Sequence, residues 1–292
     1  MEKLNLGHKN IVPNSIKQVL TMLKYSLLDY VGSRRFFVLL IIVAIIAIML
    51  TAVMAYFRPA DSLASPLSFY SNWWGESSTL VIILSAVFFG GDAISGEFQN
   101  KTGYFLIGNP IRRSAIYIGK WLAALMASLA ILGVFALITI GNGLYYFGLS
   151  GLPSQFLEAL LFSIFYMVSA LGLTFFFSSM FKSSTVAILT TVILLLFAFS
   201  LIQALVANLA HVEPWFIITY GAQIISNVLM NPYPPHVSTT SVHSAAGSIA
   251  SSKAISITTY NASIFEGLMI LAAYFLVTII IGPILFERKE FT

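Results

Sequence analysis

The stretch 36-FFVLLIIVAIIAIMLTAVMAYF-57 holds 22 residues without a charge. At about 1.5 Å of rise per residue, a helix of this length reaches roughly 33 Å, enough to cross the hydrocarbon core of a bilayer. Nothing in a water-soluble domain calls for such a run, and the rest of the chain agrees with it. Of 292 residues, 58% are hydrophobic and 9% are charged, and the mean hydropathy is +0.90. A soluble domain carries about a quarter of its residues as charges to cover its surface. The solvent of this chain is therefore largely lipid.

Five further runs are long and apolar enough to span: 77–94, 121–147, 155–181, 185–210 and 264–286. The sequence predicts an all-α polytopic membrane protein, one transmembrane domain over 1–292 with six spans. Lys and Arg decide its orientation, because positive residues are retained on the cytoplasmic side. One set of flanks holds Lys3, Lys9, Lys17, Lys24, Arg34, Arg35, Lys101, Arg112, Arg113, Lys120, Lys182, Arg288 and Lys289; the other holds only Arg58 and Lys253. This bias places both termini in the cytoplasm and explains the net charge of +4 without a nucleic-acid partner. Residues 1–35 lack the apolar core and cleavage site of a signal peptide, so the first span is expected to serve as its own insertion signal.

Ahead of the first span, residues 14–35 carry Ile16, Leu20, Leu23, Leu27 and Val31 at helical spacing, with Lys17, Lys24 and Asp29 off that stripe. The pattern predicts an amphipathic helix along the cytoplasmic membrane surface. Trp73 and Trp74 end the first external loop and are expected at headgroup level. The largest external segment, 211–263, divides in two. Trp215 to Met230 is apolar but too short to cross and reads as a re-entrant or interfacial helix, and the Ser/Thr/Ala/Pro-rich remainder reads as an exposed loop.

Chemistry is sparse. There is no cysteine, hence no disulfide and no thiolate metal site. No G-x-x-x-x-G-K-[ST] phosphate loop occurs, so the chain is not expected to hydrolyse ATP itself, and H-E-x-x-H and G-x-S-x-G are missing too. No cofactor is expected in this chain. His211, His236 and His243 all fall in the external segment, but their spacing matches no standard ligand motif and no metal site is assigned. Glu158 and Glu266 sit near the outer ends of their spans, where a carboxylate reaches the headgroups.

The remaining polarity is concentrated in 92-DAISGEFQNKTGYFLIGNPIRRSAIYIGKW-121. The positive-inside rule explains Arg112, Arg113 and Lys120; it does not explain Asp92, Glu97 or the interleaved Phe98, Tyr104 and Phe105. A cytoplasmic elbow of mixed charge with aromatics has the composition of a protein docking surface. Glu97, Lys101-Thr102-Gly103, Pro110, Arg112-Arg113 and Gly119-Lys120 form a pattern that resembles the cytoplasmic loop between the second and third spans of ATP-binding cassette (ABC) type-2 exporter permeases. The six-span layout, the amphipathic N-terminal helix and the large segment between spans five and six resemble the same family.

That resemblance implies a type V exporter-like fold with a connecting helix at 14–35, a coupling loop at 95–113 and a re-entrant external segment at 211–263. It implies a permease subunit that pairs with a second protomer, a homodimer by default, in the plasma membrane. A separate cytosolic ATPase would bind the ATP and Mg, and lipid would surround the pair. The residues expected to couple to that ATPase are Ser95, Gly96, Glu97, Phe98, Gln99, Lys101, Thr102, Arg112 and Arg113. By the same analogy Ser85, Phe88, Phe89, Phe197, Ser200, Leu201 and Gln203 are candidates for a substrate cavity. The alternative from another class is an ATP-independent secondary transporter or channel, which usually shows ionisable residues at the bilayer midplane or paired broken helices.

Overall fold

Each long apolar run folds as a helix because lipid offers no partner for backbone N–H and C=O groups, which a helix satisfies within itself. The computed structural model describes residues 14–58, 64–100, 111–148, 151–242 and 255–288. An N-terminal helix, α1 (Ser15–Gly32), turns at Ser33 into α2 (Arg34–Phe57); α3 (Pro66–Gly90) follows, then the short α4 (Ser95–Gln99), α5 (Arg113–Phe147) and α6 (Ser154–Met180). The fifth long helix, α7 (Ser184–Ala210), contains two π-helical turns, Leu194–Ala198 and Val206–Ala210. Two short helices, α8 (Ile218–Ala222) and α9 (Ile224–Asn227), precede strands β1 (Val237–Val242) and β2 (Ile255–Tyr260), and α10 (Ile264–Arg288) closes the chain.

Six of these helices, α2, α3, α5, α6, α7 and α10, are long and apolar enough to cross a membrane, as the sequence predicts. They divide into an inner and an outer set. Helices α3, α5 and α6 bury 67%, 50% and 56% of their most apolar stretches, against 17% each for α2, α7 and α10. The inner three pack on one another, α2 lies on α3 and α5, and α10 lies on α6. Inside the bundle, hydroxyls bond backward to their own helix: Ser85, Thr139, Ser163 and Thr191 each donate to the carbonyl four residues earlier, so burial leaves them satisfied.

Two sequence expectations are corrected here. The second long helix begins at Pro66, not 77, with Ser65 as its N-cap, so Trp73 and Trp74 lie inside the bundle and not at a headgroup surface. Both are fully buried; Trp74 stacks on Phe135 and its indole N–H donates to Ser163 Oγ at 3.1 Å. Tryptophan serves an interface only when its polar edge has water to reach, and for Trp74 a serine takes that place. Second, the tail of the 211–263 segment is not simply a loop: β1 and β2 form an antiparallel hairpin, Val237 opposite Tyr260 and Val242 opposite Ile255. Its Val, Ile and Thr content is strand-forming, a signal that the Ser/Thr-rich composition hides. Helix α1 leaves most of its predicted stripe open. It packs against α5 through Gln18 and Met22, where Gly119 allows close approach to Met22 and the Val19 carbonyl, while Ile16, Leu20 and Val31 stay exposed.

Candidate functional site

Two regions concentrate polar side chains, one at each end of the bundle. The first is the elbow after α3, at the end where Arg35, Arg113, Lys120, Lys182 and Arg288 cluster. Helix α3 stops at Gly90, where a Cβ would overlap Thr174 Oγ1 and meet the Phe175 ring at 3.2 Å, so the side chains of α6 pack directly on the α3 backbone. Residues 91–94 turn, and α4 begins beneath Ser178 of α6. The buried Ser178 hydroxyl accepts from both Ile94 N–H and Ser95 N–H at 3.0 Å, supplying the acceptors that the start of a helix lacks.

From this anchor each side chain of the elbow reaches a different span. Asp92 pairs with Arg35 of α2. Glu97 pairs with Lys120 of α5, whose ammonium also donates to the Ala93 carbonyl at 3.0 Å. The Phe98 ring packs edge-on against Phe286 of α10, centroids 6.1 Å apart. Gln99 Oε1 accepts from Ser184 N–H at 2.7 Å, capping the start of α7. With Ser95 on Ser178 of α6 and the segment continuous with α3, eight residues, 92–99, touch all six long helices.

The other arm of the elbow is tied to α1. Gln18 Oε1 accepts from the Arg112 backbone N–H at 3.1 Å, and the Arg113 guanidinium donates to the Glu287 carbonyl at 2.7 Å. Tyr30 of α1 packs edge-on against Phe89 at 5.5 Å, and burial, reinforced by the nearby Asp92 carboxylate, pushes its phenol well above the usual range. It therefore remains a neutral hydroxyl. A cleft lined by Asp29, Tyr30, Arg35, Asp92, Glu97 and Lys120 opens between α1 and the elbow. Of the expected coupling residues, Ser95, Gly96, Glu97, Phe98, Gln99, Arg112 and Arg113 thus belong to one connected framework. Lys101 and Thr102 lie outside the described residues, as do Gly103 and Pro110.

The second region is a cleft of about 530 Å³ at the opposite end, bounded by α3, α7, the short helices and β2. Glu76, Ser200, Gln203, Asn208, Thr219 and Thr258 line it. Thr219 donates to Gln203 Oε1 at 2.8 Å, and Asn208 Oδ1 accepts from Thr258 N–H at 3.2 Å, which tethers the hairpin to the end of α7. The short helices seat on α3, α6 and α10, with Gly75 against Ser226 and Gly267 against Ile224.

The seven cavity candidates do not meet in one place. Ser200 and Gln203 line this cleft; Ser85 and Phe89 are buried between helices; Phe88 packs partly buried against the core; Phe197 and Leu201 project outward, 66% and 61% exposed. Sequence reasoning did not find Glu76 as a cleft residue, since nothing local marks which side of a helix faces an opening. Glu213 was missed as well: it stands within 3.4 Å of His236, which itself is 3.6 Å from Glu266.

Comparison with known proteins bears directly on this arrangement. A family model described as ABC-2 family transporter protein matches residues 20–291, nearly the whole chain, from within α1 to beyond α10. No curated protein matches the sequence. The family's members are membrane components of transporters that in general carry no ATPase site of their own and associate with an ABC ATPase. With six membrane-length helices arranged about one polar elbow, this chain is a multi-pass membrane protein that belongs to the ABC-2 transporter family.

Proposed function

We propose that the chain is the permease subunit of an ABC exporter, acting as a pair of protomers with a separate ATPase that docks on the elbow from the cytoplasm. The observation that carries this reading is the reach of residues 92–99. A segment held to α2, α5, α6, α7 and α10 and continuous with α3 cannot shift without biasing every span. ATP-driven closure of the ATPase subunits would move α4, and the helices would repopulate between conformations that open to opposite sides. The charge bias of the flanks supports placing the elbow and both termini inside the cell. The cleft roofed by the hairpin then lies on the external side, and α8 and α9 form the re-entrant element. The exposed row Leu189, Ile193, Phe197, Leu201 and Leu205 on α7 is the face offered to the second protomer, with lipid on α2.

Co-purification tests the reading. Tagged protein in mild detergent should bring down an ATPase bearing a phosphate-binding loop. Lys120→Glu, which sets two carboxylates against each other, should lose it, and the swapped pair Glu97→Lys with Lys120→Glu should recover much of it. Recovery of the chain alone across several detergents would overturn the proposal and favour an ATP-independent transporter or channel.

A further inference from the structure

The external-side segments bring together three groups that the transport reading leaves idle. Glu213 lies just after α7, His236 just before β1, and Glu266 in the first turn of α10. Their ligand atoms all lie within 4.8 Å of one another. His236 Nε2 stands 3.4 Å from Glu213 Oε1 and 3.6 Å from Glu266 Oε2.

Neither separation is that of a good hydrogen bond, which for N–H···O runs about 2.7–3.2 Å, and one Nε2 carries at most a single proton to share between two oxygens. The two separations from His236 do fit the edges of a coordination polyhedron. Zinc bonds of about 2.0–2.2 Å in a tetrahedron place neighbouring ligand atoms roughly 3.3–3.6 Å apart. Imidazole with two carboxylates suits zinc, and three protein ligands leave a fourth position for water.

The carboxylates are also held as ligands usually are, by a second layer of hydrogen bonds. Tyr220 donates its hydroxyl to Glu213 Oε1 at 2.6 Å, and the Ser263 N–H donates to Glu266 Oε2 at 2.9 Å; these are the two oxygens that face His236. The His236 main chain is fixed in turn, its carbonyl accepting from Asn261 N–H at 2.8 Å. All three side chains keep partial exposure, Glu213 26%, Glu266 40% and His236 45%, so an ion can enter from solvent.

We propose that Glu213, His236 and Glu266 form a binding site for a divalent transition-metal ion, zinc being the best match, that clamps the base of the β-hairpin to α7 and α10. An ion here joins three connections separated by more than 20 residues each. It would hold the hairpin over the cleft that Gln203, Asn208 and Thr258 line. The site does not depend on the transport role and can be tested without it.

The test uses the full-length protein, purified through a tag without histidines, stripped with EDTA and dialysed against micromolar zinc. The wild type should retain about one zinc per chain and show a higher Tm with zinc than with EDTA. His236→Ala should lose both effects. Glu213→Gln and Glu266→Gln, which keep the hydrogen bonds to Tyr220 and Ser263, should each weaken zinc binding by roughly 10- to 100-fold. A single symmetrical peak in gel filtration establishes that each variant is folded. Equal zinc content in wild type and His236→Ala would overturn the proposal. So would a wild-type Tm that ignores zinc but rises on acidification in a His236-dependent way, since a protonated imidazole bridging two carboxylates would then explain the cluster.

Discussion

Two glycines of one short stretch separate a packing requirement from a composition effect. Gly90 has no room for a Cβ, because Thr174 and Phe175 of α6 occupy the space; Gly96, inside α4, has nothing nearer than 3.7 Å. Gly90→Ala should force α3 and α6 apart at a cost of about 1–3 kcal/mol, seen as a lowered Tm in detergent. Gly96→Ala should be neutral or stabilising by up to about 1 kcal/mol, since alanine is the better helix former. Equal losses at the two positions would mean that α3 and α6 do not meet as described. The sequence signals glycine at both places and does not tell them apart: what differs is the neighbour, Thr174, from 84 residues away. Glu97 is a similar case. Its acidity stands out in a basic loop, but its partner Lys120 also reads as an anchor until the fold sets them together.

At the scale of elements, α4 is too short to be stable alone, and its stability comes from what caps and surrounds it. Ser178→Ala removes the acceptor of two backbone N–H groups and should cost about 1–3 kcal/mol. If α4 transmits the ATPase's movement, the same variant should lose substrate-stimulated ATP hydrolysis in the reconstituted complex while still binding the ATPase. Stimulation kept at the wild-type level would show that α4 docks without transmitting. The long helices were legible from hydropathy, their ends within a few residues except at Pro66 and Arg113, where α3 and α5 begin well ahead of the predicted spans. The hairpin was not, because strands of Ser and Thr resemble loops until they find each other. The face of α1 was only half legible: its apolar arc is wider than one stripe, and packing on Gly119 selected the side centred on Met22.

The whole molecule leaves much apolar surface open on α2, α7 and α10, and a chain without cysteine makes that surface easy to probe. A single Leu201→Cys should give an oxidant-dependent dimer in membranes if α7 faces a second copy, whereas Leu161→Cys, exposed on α6, should not. Equal cross-linking at the two sites would place the interface elsewhere. Orientation is open to the same approach. Met230→Cys, exposed at the hairpin end, should react with an impermeant thiol reagent in intact cells, and Tyr25→Cys, exposed on α1, only after permeabilisation. The reverse pattern would invert the assignment drawn from charge.

The sequence by itself determined that this chain lives in lipid, how many of its helices are long and apolar enough to cross and where its polarity concentrates. Those properties depend on the transfer of contiguous residues from water, a sum that proceeds along the chain. Only the tertiary structure decided which helices form the interior, that Trp73 and Trp74 belong there, and that residues 92–99 reach every span. It alone brought Glu213, His236 and Glu266 together. Those outcomes depend on which side chains meet across helices and connections far apart in sequence, and in a chain apolar almost throughout, hydrophobic periodicity is too weak to say which face of a helix turns inward.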